Sequence, residues 1–95
     1  MVRIQEFESV WDALEDSPAE AASMKARSAL MIAVHSAVER WDVTQAQAAK
    51  RLKITQPRLN DLLKGKINKF SLDALVDLAG HAGLSVSVKI TRQAA

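Results

Sequence analysis

Residues 44–65 read TQAQAAKRLKITQPRLNDLLKG, and the order of polar, small and apolar side chains in this stretch decides the fold. Thr44 supplies a capping oxygen, and Gln47, three residues on, completes a capping box that opens a helix over 45–52. Ala48, Ala49 and Leu52 share one face of it, and the two alanines let a neighbouring backbone approach closely. Lys53-Ile54-Thr55 makes a tight turn: Ile54 points back to the core and Thr55 caps a second helix over 56–64. Pro57 falls in the first turn of that helix, where a missing amide proton costs nothing. Leu59, Leu62 and Leu63 form its apolar stripe, while Pro57, Asn60, Asp61 and Lys64, flanked by Arg58, occupy the opposite face. Gly65 is the left-handed stop.

Outside this stretch the spacing predicts two more helices. Ser17-Pro18-Ala19-Glu20 places a cap, a first-turn proline and a capping-box glutamate in order, so a long helix begins there. Leu30, Val34, Ala37, Val38 and Trp41 recur at intervals of three and four along it, and it ends near Asp42. Ser71 caps the last helix, which buries Leu72, Leu75, Val76, Leu78 and Ala79 before Gly83 stops it. Residues 84–90, LSVSVKI, alternate apolar and polar and predict a strand with one buried face. A strand alone in a helical domain has no partner for its amides, so the expectation is antiparallel pairing with a second copy of the chain. Leu84, Val86, Val88 and Ile90 are then the dimer interface. The segment Val2-Arg3-Ile4 is a weaker alternative partner. Residues 1–16 form an acidic arm with a short helical pattern at 9–15, residues 17–83 the helical domain, and residues 84–90 the dimerisation strand.

Composition narrows the function classes. A chain of 95 residues is one small domain that buries about 60–65% of its unfolded surface, a margin that makes oligomerisation useful. Hydrophobic residues make up 48% and charged ones 25%, with no apolar run near the ~20 residues a membrane span needs. The absence of cysteine removes disulfides and thiolate ligands and agrees with a cytoplasmic location, and the N-terminus is too acidic for a signal peptide. The formal charge of +2 hides an asymmetry: residues 1–24 set six carboxylates against Arg3, net −5. Residues 50–69 set seven cations against Asp61, net +6, the footprint of a surface that binds phosphate. His35 and His81 are isolated, so no metal site is expected. With no Gly-rich phosphate loop and no acid-base pair, neither a cofactor nor an enzymatic activity is expected.

The 44–65 pattern resembles the helix-turn-helix of the phage-repressor-like family, the Cro or XRE type. The matching features are Thr44-Gln45, Ala49 at the helix crossing, Ile54-Thr55-Gln56 leading into the second helix, Leu59 and Leu62, and Lys64-Gly65-Lys66 at its end. Lys53 departs from the family pattern, which has glycine at that turn, at a cost of about 1 kcal/mol. The resemblance implies a mainly α, lambda-repressor-like domain of four to five helices plus a C-terminal strand that pairs across a dimer. In that fold 45–52 is the scaffold helix and 56–64 the recognition helix that enters the major groove of double-stranded DNA. Base contacts then fall to Thr55, Gln56, Pro57, Arg58, Asn60 and Asp61. Gln56 suits adenine, Arg58 guanine or phosphate, and Asp61 cytosine N4. Gln45, Lys50, Lys64, Lys66 and Lys69 are expected phosphate contacts.

The likeness is strongest to small HigA-like antitoxins, which implies a homodimeric repressor on an inverted-repeat operator, paired with a basic ribonuclease toxin that the acidic arm attracts. The alternative is a protein-interaction module that neutralises a partner without reading DNA.

Overall fold

A computed structural model describes residues 18–92. The short helix at 9–15, the Ser17 cap, the Val2–Ile4 pairing and the acidic arm itself lie outside the described residues. The elements are α1 (Pro18–Trp41), α2 (Gln45–Leu52), α3 (Gln56–Leu63), a single 3-10 turn (Ile67–Lys69) and α4 (Leu72–His81). Four α-helices therefore stand among the described residues, within the expected range. The second of the short pair ends at Leu63, with Lys64 as its cap.

Each short helix begins on a side-chain oxygen. Thr44 Oγ1 accepts from the Gln47 amide at 3.2 Å, and Gln47 Oε1 accepts from the Thr44 amide at 3.1 Å, so the capping box is complete. Thr55 Oγ1 accepts from the Arg58 amide at 3.3 Å, and Ser71 Oγ from the Ala74 amide at 3.1 Å. These bonds satisfy amides that the first turn of a helix otherwise leaves without partners.

The same three helices end alike. The amides of Ile54, Lys66 and Leu84 reach back to the carbonyls of Ala49, Asp61 and Ala79, at 3.0, 3.0 and 2.9 Å. Lys53, Gly65 and Gly83 donate to Lys50, Leu62 and Gly80 in the inner bond of the same motif. The motif needs a left-handed residue, and Gly65 (φ +73°) and Gly83 (φ +79°) supply it without strain. Lys53 does the same job at φ +59° with a Cβ in place, as its departure from glycine predicts. Asp42 (φ +52°) makes the corresponding left-handed bend after α1.

The core gathers residues from all four helices and the 3-10 turn: Met31 and Val34 of α1, Ala48, Ala49 and Leu52 of α2, Leu59 and Leu62 of α3, then Ile67, Phe70, Leu75, Leu78 and Ala79. Val34, Leu52, Leu59 and Leu75 are fully enclosed, each a burial worth about 1.5–3 kcal/mol. Ile54 packs on this core from the turn. Helix α1 lies along α4 and also touches α3 and the 3-10 turn, while α2 rests on α3 and α4.

On α1 the buried stripe runs through Ala21, Ser28, Met31, Val34 and Ala37, and Leu30, Val38 and Trp41 flank it half-buried. Two residues expected inside on α4, Leu72 and Val76, stand exposed, because the core is met by Leu75, Leu78 and Ala79 instead.

The C-terminal segment departs from expectation. Residues 84–92 carry no strand, since no second extended segment among the described residues offers them a hydrogen-bonding edge. Leu84 is the apolar anchor of the α4 terminus and packs on the core. Val88 and Ile90 stand clear of the helices, exposed at 81 and 88%, whereas Val86, 41% exposed, lines a shallow hollow with Leu30 and Ala33 of α1 and Ala79 of α4.

Candidate nucleic-acid interface

The outward face of α3 is built by the contrast between its two sides. Leu59 and Leu62 are buried, which turns Thr55, Gln56 and Pro57 outward, exposed at the start of the helix. Asn60 follows half-buried one turn later. A helix presented this way matches the width of a B-DNA major groove, and the side-chain amides of Gln56 and Asn60 each carry a donor and an acceptor.

Around this face stand exposed side chains that could meet phosphate: Gln45 and Lys50 on α2, Lys64 at the end of α3, and Lys66 and Lys69 beyond it. Backbone amides tie the loop down, Lys66 to the Asp61 carbonyl at 3.0 Å and Lys69 to the Lys66 carbonyl at 3.0 Å.

Two expected base-contact residues are engaged within the chain. Asp61 is half-buried, and its two carboxylate oxygens meet Lys66 Nζ at 3.4 Å and Lys69 Nζ at 3.6 Å. The guanidinium of Arg58 lies 4.4 Å from the centroid of the Phe70 ring, and its Nη1 donates to the Lys69 carbonyl at 3.4 Å. Arg58 is thus a clamp on the loop after α3, a role its place on the exposed face of the helical wheel does not show. Its partners lie eleven and twelve positions away, too far for a helical repeat to reveal.

A third contact also escapes periodicity: Arg51 stacks over Trp41 at 3.9 Å and joins the end of α1 to α2. The +6 of residues 50–69 is therefore divided, with Arg51 and Arg58 stacked on rings and Lys50 and Lys64 exposed toward solvent.

His35 Nε2 sits 3.3 Å from Glu39 Oε1 on the surface of α1, away from α3 in sequence. Among the described residues no three His, Cys, Asp or Glu side chains gather in a way that could hold a metal ion. No helix among them is long and apolar enough to cross a membrane.

Among proteins of curated function, none matches the chain. The family described as the helix-turn-helix domain matches residues 13–91, which takes in all four helices and the segment after them. The capped pair α2–α3, the left-handed turn at Lys53 and the polar outer face of α3 are the parts of such a domain, and the chain belongs to the helix-turn-helix domain family.

Proposed function

We propose that this protein is a cytoplasmic, sequence-specific transcriptional repressor that binds an inverted-repeat operator as a homodimer and acts by binding, without catalysis of its own. The observation that carries the proposal is the exposed start of α3: Thr55, Gln56 and Pro57 project from a helix seated on Leu59 and Leu62, with exposed lysines on the helix before it and in the loop after it. Gln56 and Asn60 read base edges, and Gln45, Lys50 and Lys64 set register on the backbone. Selection of bound sequences from a random duplex pool tests this directly. Enrichment of an inverted repeat with half-sites about one helical turn apart is the expected result. Recovery of no common sequence would refute operator reading.

The homodimer is supported by the exposure of Val86, Val88 and Ile90 on a segment that alternates apolar and polar. Antiparallel pairing of two such segments about a two-fold axis covers these side chains and satisfies their amides. It also sets the distance between the two copies of α3.

The proposed biological setting is an antitoxin of the HigA-like kind. The net charge of −5 over residues 1–24 suits the basic groove of a ribonuclease toxin. Removal of that acidic arm is expected to abolish capture of such a partner and to leave operator binding intact.

A second function, protein interaction without DNA reading, is favoured by the engagement of Arg58 and Asp61 within the chain, which shortens the set of free base-reading groups. Salt dependence separates the two. An operator binder loses affinity steeply as salt rises, whereas an interaction module shows no duplex binding to lose.

A further inference from the structure

We propose that Asp61 is a specificity-setting residue that acts through Lys66 and Lys69, holding their ammonium groups in place so that they meet duplex phosphate only in one register. The inference rests on the DNA-binding function proposed above. Asp61 is the single carboxylate among seven cations in residues 50–69, and it lies on α3, the helix proposed above to enter the groove. A carboxylate there is repelled by phosphate, so by charge alone its presence opposes duplex binding.

The geometry shows what is gained in exchange. One oxygen meets Lys66 Nζ at 3.4 Å and the other meets Lys69 Nζ at 3.6 Å, so one side chain spans both cations. The backbone of the same segment is pinned by the Lys66 amide on the Asp61 carbonyl, and by Arg58 Nη1 on the Lys69 carbonyl. Two long side chains that otherwise sample many rotamers are thereby biased toward Asp61, on a loop whose backbone is pinned.

Lysines held in this way accept phosphate oxygens where the duplex lies in the docking geometry that α3 requires. Lysines released from Asp61 follow phosphate in any register, and they do so without a like charge beside it. Asp61 thus discounts the sequence-independent part of binding more than the sequence-dependent part. The side chain is positioned by the chain itself and touches no base.

The test uses the full 95-residue chain and compares the wild type with Asp61→Asn on two duplexes. One is a duplex enriched from a random pool by the wild type, and the other is a scrambled version of it. Asp61→Asn is expected to bind the scrambled duplex about three- to tenfold tighter. It should gain less on the enriched duplex, and its slope of log affinity against log salt should steepen by about one unit.

In a Lys66→Gln/Lys69→Gln background the same Asp61 change is expected to alter affinity less than about twofold. Because the expected signal is a gain of binding, loss of folding cannot imitate it. Unchanged or weaker binding to the scrambled duplex overturns the inference while leaving DNA binding in place. Selective loss on the enriched duplex overturns it too, and assigns Asp61 to cytosine instead. An equal gain without the two lysines shows simple repulsion and also overturns it. If neither protein binds any duplex at low salt, the DNA-binding function fails and this inference fails with it.

Discussion

Arg58 lies over Phe70, its guanidinium carbon 4.4 Å from the ring centroid, and so joins α3 to the residue before the Ser71 cap of α4. Phe70 is itself 1% exposed, at the centre of the core. The Phe70→Ala substitution is expected to cost about 3–5 kcal/mol, and Arg58→Ala about 1 kcal/mol, both read from urea unfolding midpoints. A double-mutant cycle should return a coupling of about 0.5–1 kcal/mol, and a coupling of zero would show that the stack contributes nothing.

Lys53 occupies a left-handed position where the two other Schellman ends use Gly65 and Gly83. Replacing Lys53 by Gly relieves the Cβ strain and is expected to stabilise the fold by up to about 1 kcal/mol, less the added freedom of the unfolded chain. A lower thermal midpoint for the glycine variant would show that Lys53 makes compensating contacts.

The side-chain caps give a local test of the helix pair. Thr44→Ala and Thr55→Ala each remove an oxygen that accepts from a first-turn amide and should each cost about 1 kcal/mol. Thr44→Ala should cost the more of the two, because Thr44 belongs to a reciprocal pair with Gln47 and Thr55 does not. Denaturant titration of the two variants side by side decides it.

Val88 and Ile90 are the most exposed large apolar side chains among the described residues. If the proposed dimer forms through them, sedimentation equilibrium should report a dimer for the wild type and a monomer, at the same concentration, with both changed to Asp. A wild type that sediments as a monomer throughout would remove the proposed strand pairing.

Lys50 on α2 and Lys64 at the end of α3 are exposed. Their replacement by Gln, one at a time, should shallow the salt dependence of duplex binding by about one unit each. The base preference recovered from a random pool should stay the same, because phosphate contacts position the protein without reading sequence.

The parts of this fold that were legible in the sequence are those set by neighbours in the chain. Thr44 with Gln47, Thr55, Ser71, Gly65 and Gly83 each act within a few residues of themselves, so their roles can be read directly from order and spacing. Leu59, Leu62, Leu75 and Leu78 are placed correctly by helical periodicity for the same reason. What periodicity missed depends on the angles at which elements meet. Leu72 and Val76 lie on an apolar flank of α4 that its neighbours leave exposed, and Met31, not named among the spaced positions of α1, is buried.

At the candidate site, the exposed start of α3 and the outlying lysines were legible, whereas the stacking of Arg58 and the ion pairs of Asp61 were not. Both cross the Gly65 turn, and a helical wheel ends where the helix ends. The tail shows a different gap. Alternation in residues 84–90 marks a segment suited to pairing, but pairing needs an edge, and Leu84 is already committed to the terminus of α4.

Trp41 sits against Arg51 at the seam of α1 and α2, and the chain has one other tryptophan, Trp11. In a Trp11→Phe background the indole of Trp41 becomes an intrinsic optical gauge of that seam. Water replacing the guanidinium would shift its emission to the red, so loosening of α2 becomes visible on any timescale a fluorimeter can follow, with no attached dye.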